Sequence, residues 1–134
     1  MREILFRGKK VGSDEWVYGN YQHTDCYELL NDFIGQNVIN IPVKPETVCQ
    51  FTGLIDIKGK KIFEGDMLKH YNQSSDPNEY VEGLVFFDNF HCCFIRTSTI
   101  SASGYARLSA DCRYEVIGNI FDPQSREVQD ADPR

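Results

Sequence analysis

Residues 46–69 read Glu-Thr-Val-Cys-Gln-Phe-Thr-Gly-Leu-Ile-Asp-Ile-Lys-Gly-Lys-Lys-Ile-Phe-Glu-Gly-Asp-Met-Leu-Lys, and this stretch decides the fold. Short apolar runs, Leu54 to Ile57 and Ile62 to Phe63, lie either side of Gly59, and Met67-Leu68 resumes the pattern after Glu64-Gly65-Asp66. Apolar runs this short, punctuated by glycine, are strands joined by tight turns. Glycine reaches positive φ without steric cost. Lys58-Gly59 is therefore either a two-residue hairpin turn or part of a three- or four-residue loop with Gly59 left-handed. Gly65-Asp66 is a second turn, where an aspartate carboxylate bonds backbone amides two residues on. Glu64 and Asp66 also fit a carboxylate pair for acid–base work or metal binding. No histidine or further carboxylate follows at ligand spacing, which favours turn chemistry.

Outward from this core the chain keeps the same grain. Residues 3–7 and Trp16 to Gln22 read as antiparallel strands about a turn at Gly12-Ser13-Asp14. Trp16, Tyr18 and Tyr21 form either an aromatic face for stacking bases or sugars, or cross-strand packing of a hairpin, the commoner use. In residues 25–34, Asp25 and Glu28 match a helix capping box, but the apolar period is mixed. Val38 to Val43 has β composition, and Pro42 confines it to an edge or a strand end. Residues 72–79 are a polar, mobile loop. Leu84 to Phe87 and Phe90 to Arg96 flank a hairpin turn at Asp88-Asn89. Thr97 to Asp111 is a loop or a short helix. Tyr114 to Phe121 is a last strand, with a bulge or bend at Gly118. Beyond Asp122 the chain is charged and proline-containing, and is expected to be disordered.

The expectation is an all-β chain in three parts: an N-terminal β annex over 1–45, a β-roll or small barrel over 46–122, and a tail over 123–134. At 134 residues, 41% hydrophobic and 13% aromatic, the chain holds a core without disulfides or metal. Asp and Glu number 20 against 14 Lys and Arg, a net charge of −6, which works against nucleic-acid binding. Arg2, Arg7, Lys9 and Lys10, and separately Lys58, Lys60, Lys61 and Lys69, are local basic groups, and lysine at hairpin tips also blocks edge pairing. The five cysteines, Cys26, Cys49, Cys92, Cys93 and Cys112, are odd in number and lack zinc spacing, which fits a reducing cytoplasm. No apolar run approaches the roughly 18 residues of a membrane span. His91 beside Cys92 invites a nucleophile reading, but on a strand neighbouring side chains face apart. No phosphate loop, nucleophile elbow or metalloprotease motif is present.

Three blocks resemble the YopX family, small proteins of phages, prophages and gut bacteria. They are Met1 to Lys10 with Glu15-Trp16-Val17-Tyr18-Gly19; Glu46 to Leu54 with Gly59-Lys60-Lys61-Ile62-Phe63-Glu64-Gly65-Asp66; and Tyr114-Glu115-Val116-Ile117-Gly118-Asn119-Ile120-Phe121. Cys49 stands where the family usually has glycine, and the tail after Asp122 lacks an Asn-Pro-Glu-Leu-like ending. The resemblance implies an SH3-like roll for the C-terminal two-thirds, with the N-terminal β-hairpin annex before it, in a mobile-element protein of the bacterial cytoplasm. It implies no activity.

The resulting expectation is a non-catalytic protein-interaction or assembly module, with no catalytic, cofactor-binding or metal-binding residues. Its partner is a host or phage protein or a second copy of the chain, through exposed strand edges. The alternative is a single-stranded nucleic-acid-binding β-barrel using Trp16, Tyr18, Tyr21 and the lysines around Gly59. An enzyme using Glu64, Asp66 and His91 or His70 is the least supported reading.

Overall fold

The computed structural model describes residues 2–25, 29–36, 39–71, 80–97 and 104–122. Apart from a 3₁₀ turn at Pro45–Thr47, their regular structure is all β: β1 (Phe6–Lys9), β2 (Trp16–His23), β3 (Asp32–Gln36), β4 (Ile39–Pro42), β5 (Cys49–Ile55), β6 (Lys61–Phe63), β7 (Asp66–Tyr71), β8 (Tyr80–Asp88), β9 (Cys93–Thr97), β10 (Tyr105–Arg107) and β11 (Arg113–Asn119). No helix of the described residues is long and apolar enough to cross a membrane. The chain divides into two compact units, Met1–Gly53 and Leu54–Arg134. The division falls at Gly53 rather than after residue 45, because β5 pairs with β1. The expected cap at Glu28, the loop 72–79 and the tail 123–134 lie outside the described residues.

In the first unit the antiparallel order is β4-β3-β2-β1-β5, which is more than a hairpin annex. β1 starts at Phe6 and runs to Lys9, later than the expected 3–7, since Arg7 and Lys9 stand directly opposite Tyr18 and Trp16. A bridge between Lys10 and Val43, with Lys44 N–H donating to Lys9 O at 2.8 Å, returns the chain after β4 to the end of β1. Val17, Ile34 and Val43 are buried together there, packed by Phe6, Ile41 and Val48.

In the second unit the order is β10-β9-β8-β7-β11, with Ile62, Leu68, Val85 and Tyr114 as the core. Neither ladder closes into a continuous barrel. The stretch expected as loop or helix contributes β10 instead. β11 carries the expected irregularity, its register shifting between Val116 and Gly118.

The turn between β5 and β6 is the wider of the two forms expected. Gly59 is left-handed at φ 82°, and Asp56 is buried at its base. Asp56 Oδ1 accepts from the amides of Lys58 (2.9 Å) and Lys60 (2.8 Å), and its Oδ2 accepts from Val116 N–H of β11 at 3.0 Å. Ile57 N–H donates to Tyr114 O at 2.8 Å beside it. Asp66 is likewise buried at a turn, and its carboxylate reaches backward to accept from Phe63 N–H at 2.8 Å.

Hydrogen bonds to a charged acceptor contribute about 1.5–3 kcal/mol each, and an abandoned buried amide costs about 1–3. Asp56→Ala should therefore lower the stability of the second unit by about 3 kcal/mol or more. Asp56→Asn, which keeps one accepting oxygen, should fall between wild type and Asp56→Ala. Urea unfolding followed by amide signals of β11 checks both; an unchanged midpoint for Asp56→Ala would refute the role given to this carboxylate.

Candidate functional site

Strand register separates the aromatics weighed as either one stacking face or cross-strand packing, and favours the packing. Trp16 and Tyr18 lie opposite Lys9 and Arg7 on one side of β2, whereas Tyr21, opposite Ile34, lies on the other. Trp16 is covered by cations: the Arg7 guanidinium carbon is 4.5 Å and Lys9 Nζ 5.3 Å from its ring centre. Both cations are buried, so of the N-terminal basic group only Arg2 and Lys10 reach the surface. The Tyr21 hydroxyl donates to Asp32 Oδ1 at 2.5 Å, and His23 bonds Asp32 through Nδ1 at 2.9 Å and Asp25 through Nε2 at 3.0 Å. Both ring nitrogens of His23 are thus engaged. Hydrogen bonds to the Asp32 and then the Asp25 carboxylate hold its pKa above the ordinary 6.5. The hydrogen bond to Asp32 pushes Tyr21 up to about 12, while Tyr21 and His23 hold Asp32 down.

Cys26 lies outside the described residues. Cys49, Cys92, Cys93 and Cys112 are free, and the buried Cys49 donates to Thr47 O at 3.2 Å. The turn after Asp88 is longer than Asp88-Asn89, because Asp88 pairs with Cys93. Cys92 therefore sits in the turn at φ 55°, not on a strand. His91 bonds Asp88 through Nδ1, and among the described residues no hydrogen bond joins it to Cys92 or Cys93. The described residues hold no group of His, Cys, Asp and Glu arranged to bind a metal ion.

His70 and His91 serve different surroundings. Pairing places Leu68, His70, Val85, Arg96, Tyr114 and Val116 on the core face of the second sheet. Arg96 reaches across β8 there. A Cβ on Gly83 would lie 2.4 Å from Thr97 O and 3.4 Å from the Arg96 Cβ, so only glycine leaves this approach open. The buried Arg96 donates from Nη2 to His70 Nδ1 at 2.7 Å, and the His70 ring lies 5.3 Å from that of Tyr114. Accepting at Nδ1 requires His70 to be neutral there. Burial, and then the Arg96 charge, hold its pKa below 6.5, and burial first of all pushes the Tyr114 phenol up. An arginine inside an apolar strand, Phe94-Ile95-Arg96, was the sequence signal for this cluster.

The outward face of the same sheet carries two features that the sequence did not single out. At one end Asp88, His91, Cys93, Ile95, Tyr105, Ala106 and Arg107 line a pocket of about 290 Å³. At the other, Tyr71 and Tyr80 lie 6.1 Å apart, with Lys69 Nζ 4.5 Å over Tyr80 and the Arg113 guanidinium 5.8 Å from Tyr71. The Tyr71 hydroxyl donates to Glu115 Oε1 at 2.7 Å, and Lys58 pairs with Glu115 at 2.8 Å. Glu115 is held below its ordinary pKa by Lys58 first and then Tyr71.

The two histidines should have opposite effects on stability. His23 is raised by folding, so its contribution is complete below pH 6.5 and is lost as pH rises through its folded pKa. His70 is depressed, so its contribution is complete above pH 6.5 and is lost as pH falls through its folded pKa. A titration of the ring proton resonances should give His23 a midpoint above 6.5 and His70 one below. His70→Gln should flatten the acid side of the stability profile, and His23→Gln the alkaline side; the reverse order of midpoints would refute both assignments.

The solved structure of protein EF1440 from Enterococcus faecalis has a similar fold. It shares 18% sequence identity at a TM-score of 0.55, covering 92% of this chain and 97% of that one. No curated protein matches the chain in sequence. The family model described as YopX protein matches residues 5–125, the span that holds all eleven strands, and the chain belongs to the YopX family.

Proposed function

We propose that the chain is a non-catalytic protein-interaction module of phage or prophage origin, acting in the cytoplasm, and that its second unit is an SH3-like roll. β7, β8 and β9 form a meander, β11 returns beside β7, and the Asp56 turn covers the outer edge of β11. The observation that carries the reading is the opposite edge. β10 is the last strand of its sheet, and among the described residues no strand covers its outer side. Tyr105, 51% exposed, and Arg107 stand on it, beside the pocket. An extended segment of a host or phage protein, or of a second copy, would add to that edge through its main chain and be selected by these side chains.

Selection of displayed peptides against the full chain tests this. The expected result is extended, β-prone peptides that shift the amide signals of residues 105–107 and lose binding in Tyr105→Lys. A dimer dissociated by the same substitution would support the same edge. Peptides that bind elsewhere, or a chain that neither binds a peptide nor self-associates, would overturn the reading.

A second reading is favoured by the Tyr71–Tyr80 pair and its two cations, the arrangement that stacks bases of a single strand and tracks its phosphates. It replaces Trp16, Tyr18 and Tyr21 as the aromatic platform. The reading requires an oligothymidylate to bind at low salt, to weaken steeply as salt rises, and to lose affinity in Tyr80→Ala and Lys69→Gln. Binding that is absent, or indifferent to salt, would reject it.

A further inference from the structure

We propose that the pocket between the β8–β9 turn and β10 is a binding site for a small organic anion, a carboxylate or phosphate carried on an apolar or aromatic body. The inference does not depend on the reading of β10 as a docking edge. Ile95, only 5% exposed, and the half-buried Cys93 supply apolar surface to the pocket. The Tyr105 ring supplies more, with the edge of Phe86 set against it at 5.8 Å and 73°. A flat apolar body fits such surroundings.

The polar groups select the sign of the ligand. Among the described residues Asp88 is the one carboxylate lining the pocket, and both of its oxygens are engaged: Oδ2 by His91 Nδ1 and Oδ1 by the Phe90 amide at 3.1 Å. The hydrogen bond from His91, foremost, holds Asp88 below its ordinary pKa. Both acceptor oxygens of Asp88 are therefore already occupied. Arg107 lines the same pocket, and its guanidinium makes no hydrogen bond or ion pair with any described residue. Its guanidinium carries five N–H donors in a fixed fork that matches a carboxylate or phosphate. The open polar groups of the pocket are thus the donors of Arg107, and their complement is an anion. The Asp88 bond engages His91 through Nδ1, and among the described residues Nε2 has no hydrogen-bond partner.

Benzoate, phenyl phosphate and the cationic benzamidine share a ring and differ in charge, so amide-shift titrations of the full chain with each test the inference. Benzoate, phenyl phosphate or both should give saturable shifts at Cys93, Ile95 and Ala106. Benzamidine should give none there. Arg107→Gln should weaken anion binding about tenfold, the scale of one charge-assisted contact, and Arg107→Lys should restore part of it. Arg107 is exposed on a terminal strand, so the rest of the spectrum should stay unchanged and report intact folding. Response to phenyl phosphate alone would assign a phosphate-bearing ligand, and response to benzoate alone a carboxylate-bearing one. Absence of saturable shifts with either anion, equal binding by Arg107→Gln, or equal binding of benzamidine at the same amides would overturn the proposal.

Discussion

One buried carboxylate fixes how the second unit is assembled. Asp56 Oδ1 shapes the β5–β6 turn and its Oδ2 holds Val116, 60 residues further along the chain. That second bond sets which residues of β11 face inward. With Val116 held in place, Tyr114 and Val116 face the core while Arg113 and Glu115 face outward. In a strand, a slip of one residue would exchange the two sets. The Lys58–Glu115 ion pair lies beside the same turn, but its lysine side chain is 70% exposed, and exposed pairs contribute little. The buried carboxylate, not the surface charge, dominates. Beyond Val116 the register shift allows Ile120 N–H to reach Gly65 O at 2.9 Å, so the turn before β7 is tied to the end of β11 as well.

Much of this architecture is legible in the sequence because it is local. Gly59, Gly65 and Gly118 mark turns and a bulge through the conformations that glycine tolerates, and short apolar runs between them mark strands. Asp56 is hidden in an apolar run, Leu54 to Ile57, since one of its three donors belongs to a strand that local pattern does not bring near. Arg7, Lys9 and Arg96 mislead for the same reason. Charged residues read as surface or turn until a Trp16 ring or a neutral His70, contributed by another strand, makes their burial possible. The choice between a stacking face and hairpin packing at Trp16, Tyr18 and Tyr21 is decided by period. Residues three apart on a strand lie on opposite sides.

The pocket illustrates a different limit. His91 and Cys92 are adjacent in sequence and suggest a nucleophile with its base. The turn separates them instead, giving His91 to Asp88 and placing Cys92 in a left-handed position. What the turn brings together is His91, Cys93 and, from β10, Tyr105 and Arg107. Sequence distance between Cys93 and Arg107 conceals that grouping, and strand pairing creates it: Ile95 stands opposite Arg107.

Cation–aromatic contacts occur in both units, and their burial separates structure from recognition. Over Trp16 the cations Arg7 and Lys9 are buried, where such contacts are worth about 2 kcal/mol and removing them strands a charge away from water. They belong to the fold of the first unit. Over Tyr80, itself 41% exposed, the Lys69 contact is worth about 0.5–1 kcal/mol, and water solvates either partner once it is released. A ligand can displace such a contact without unfolding anything. The same asymmetry holds for hydrogen bonding: the carboxylates of Asp56 and Asp66 are buried and accept from backbone amides, whereas Arg107 stands exposed with its side-chain donors open to solvent. The charges and rings held weakly enough to exchange partners therefore lie on the outward face of the second sheet, which is where the proposed sites lie.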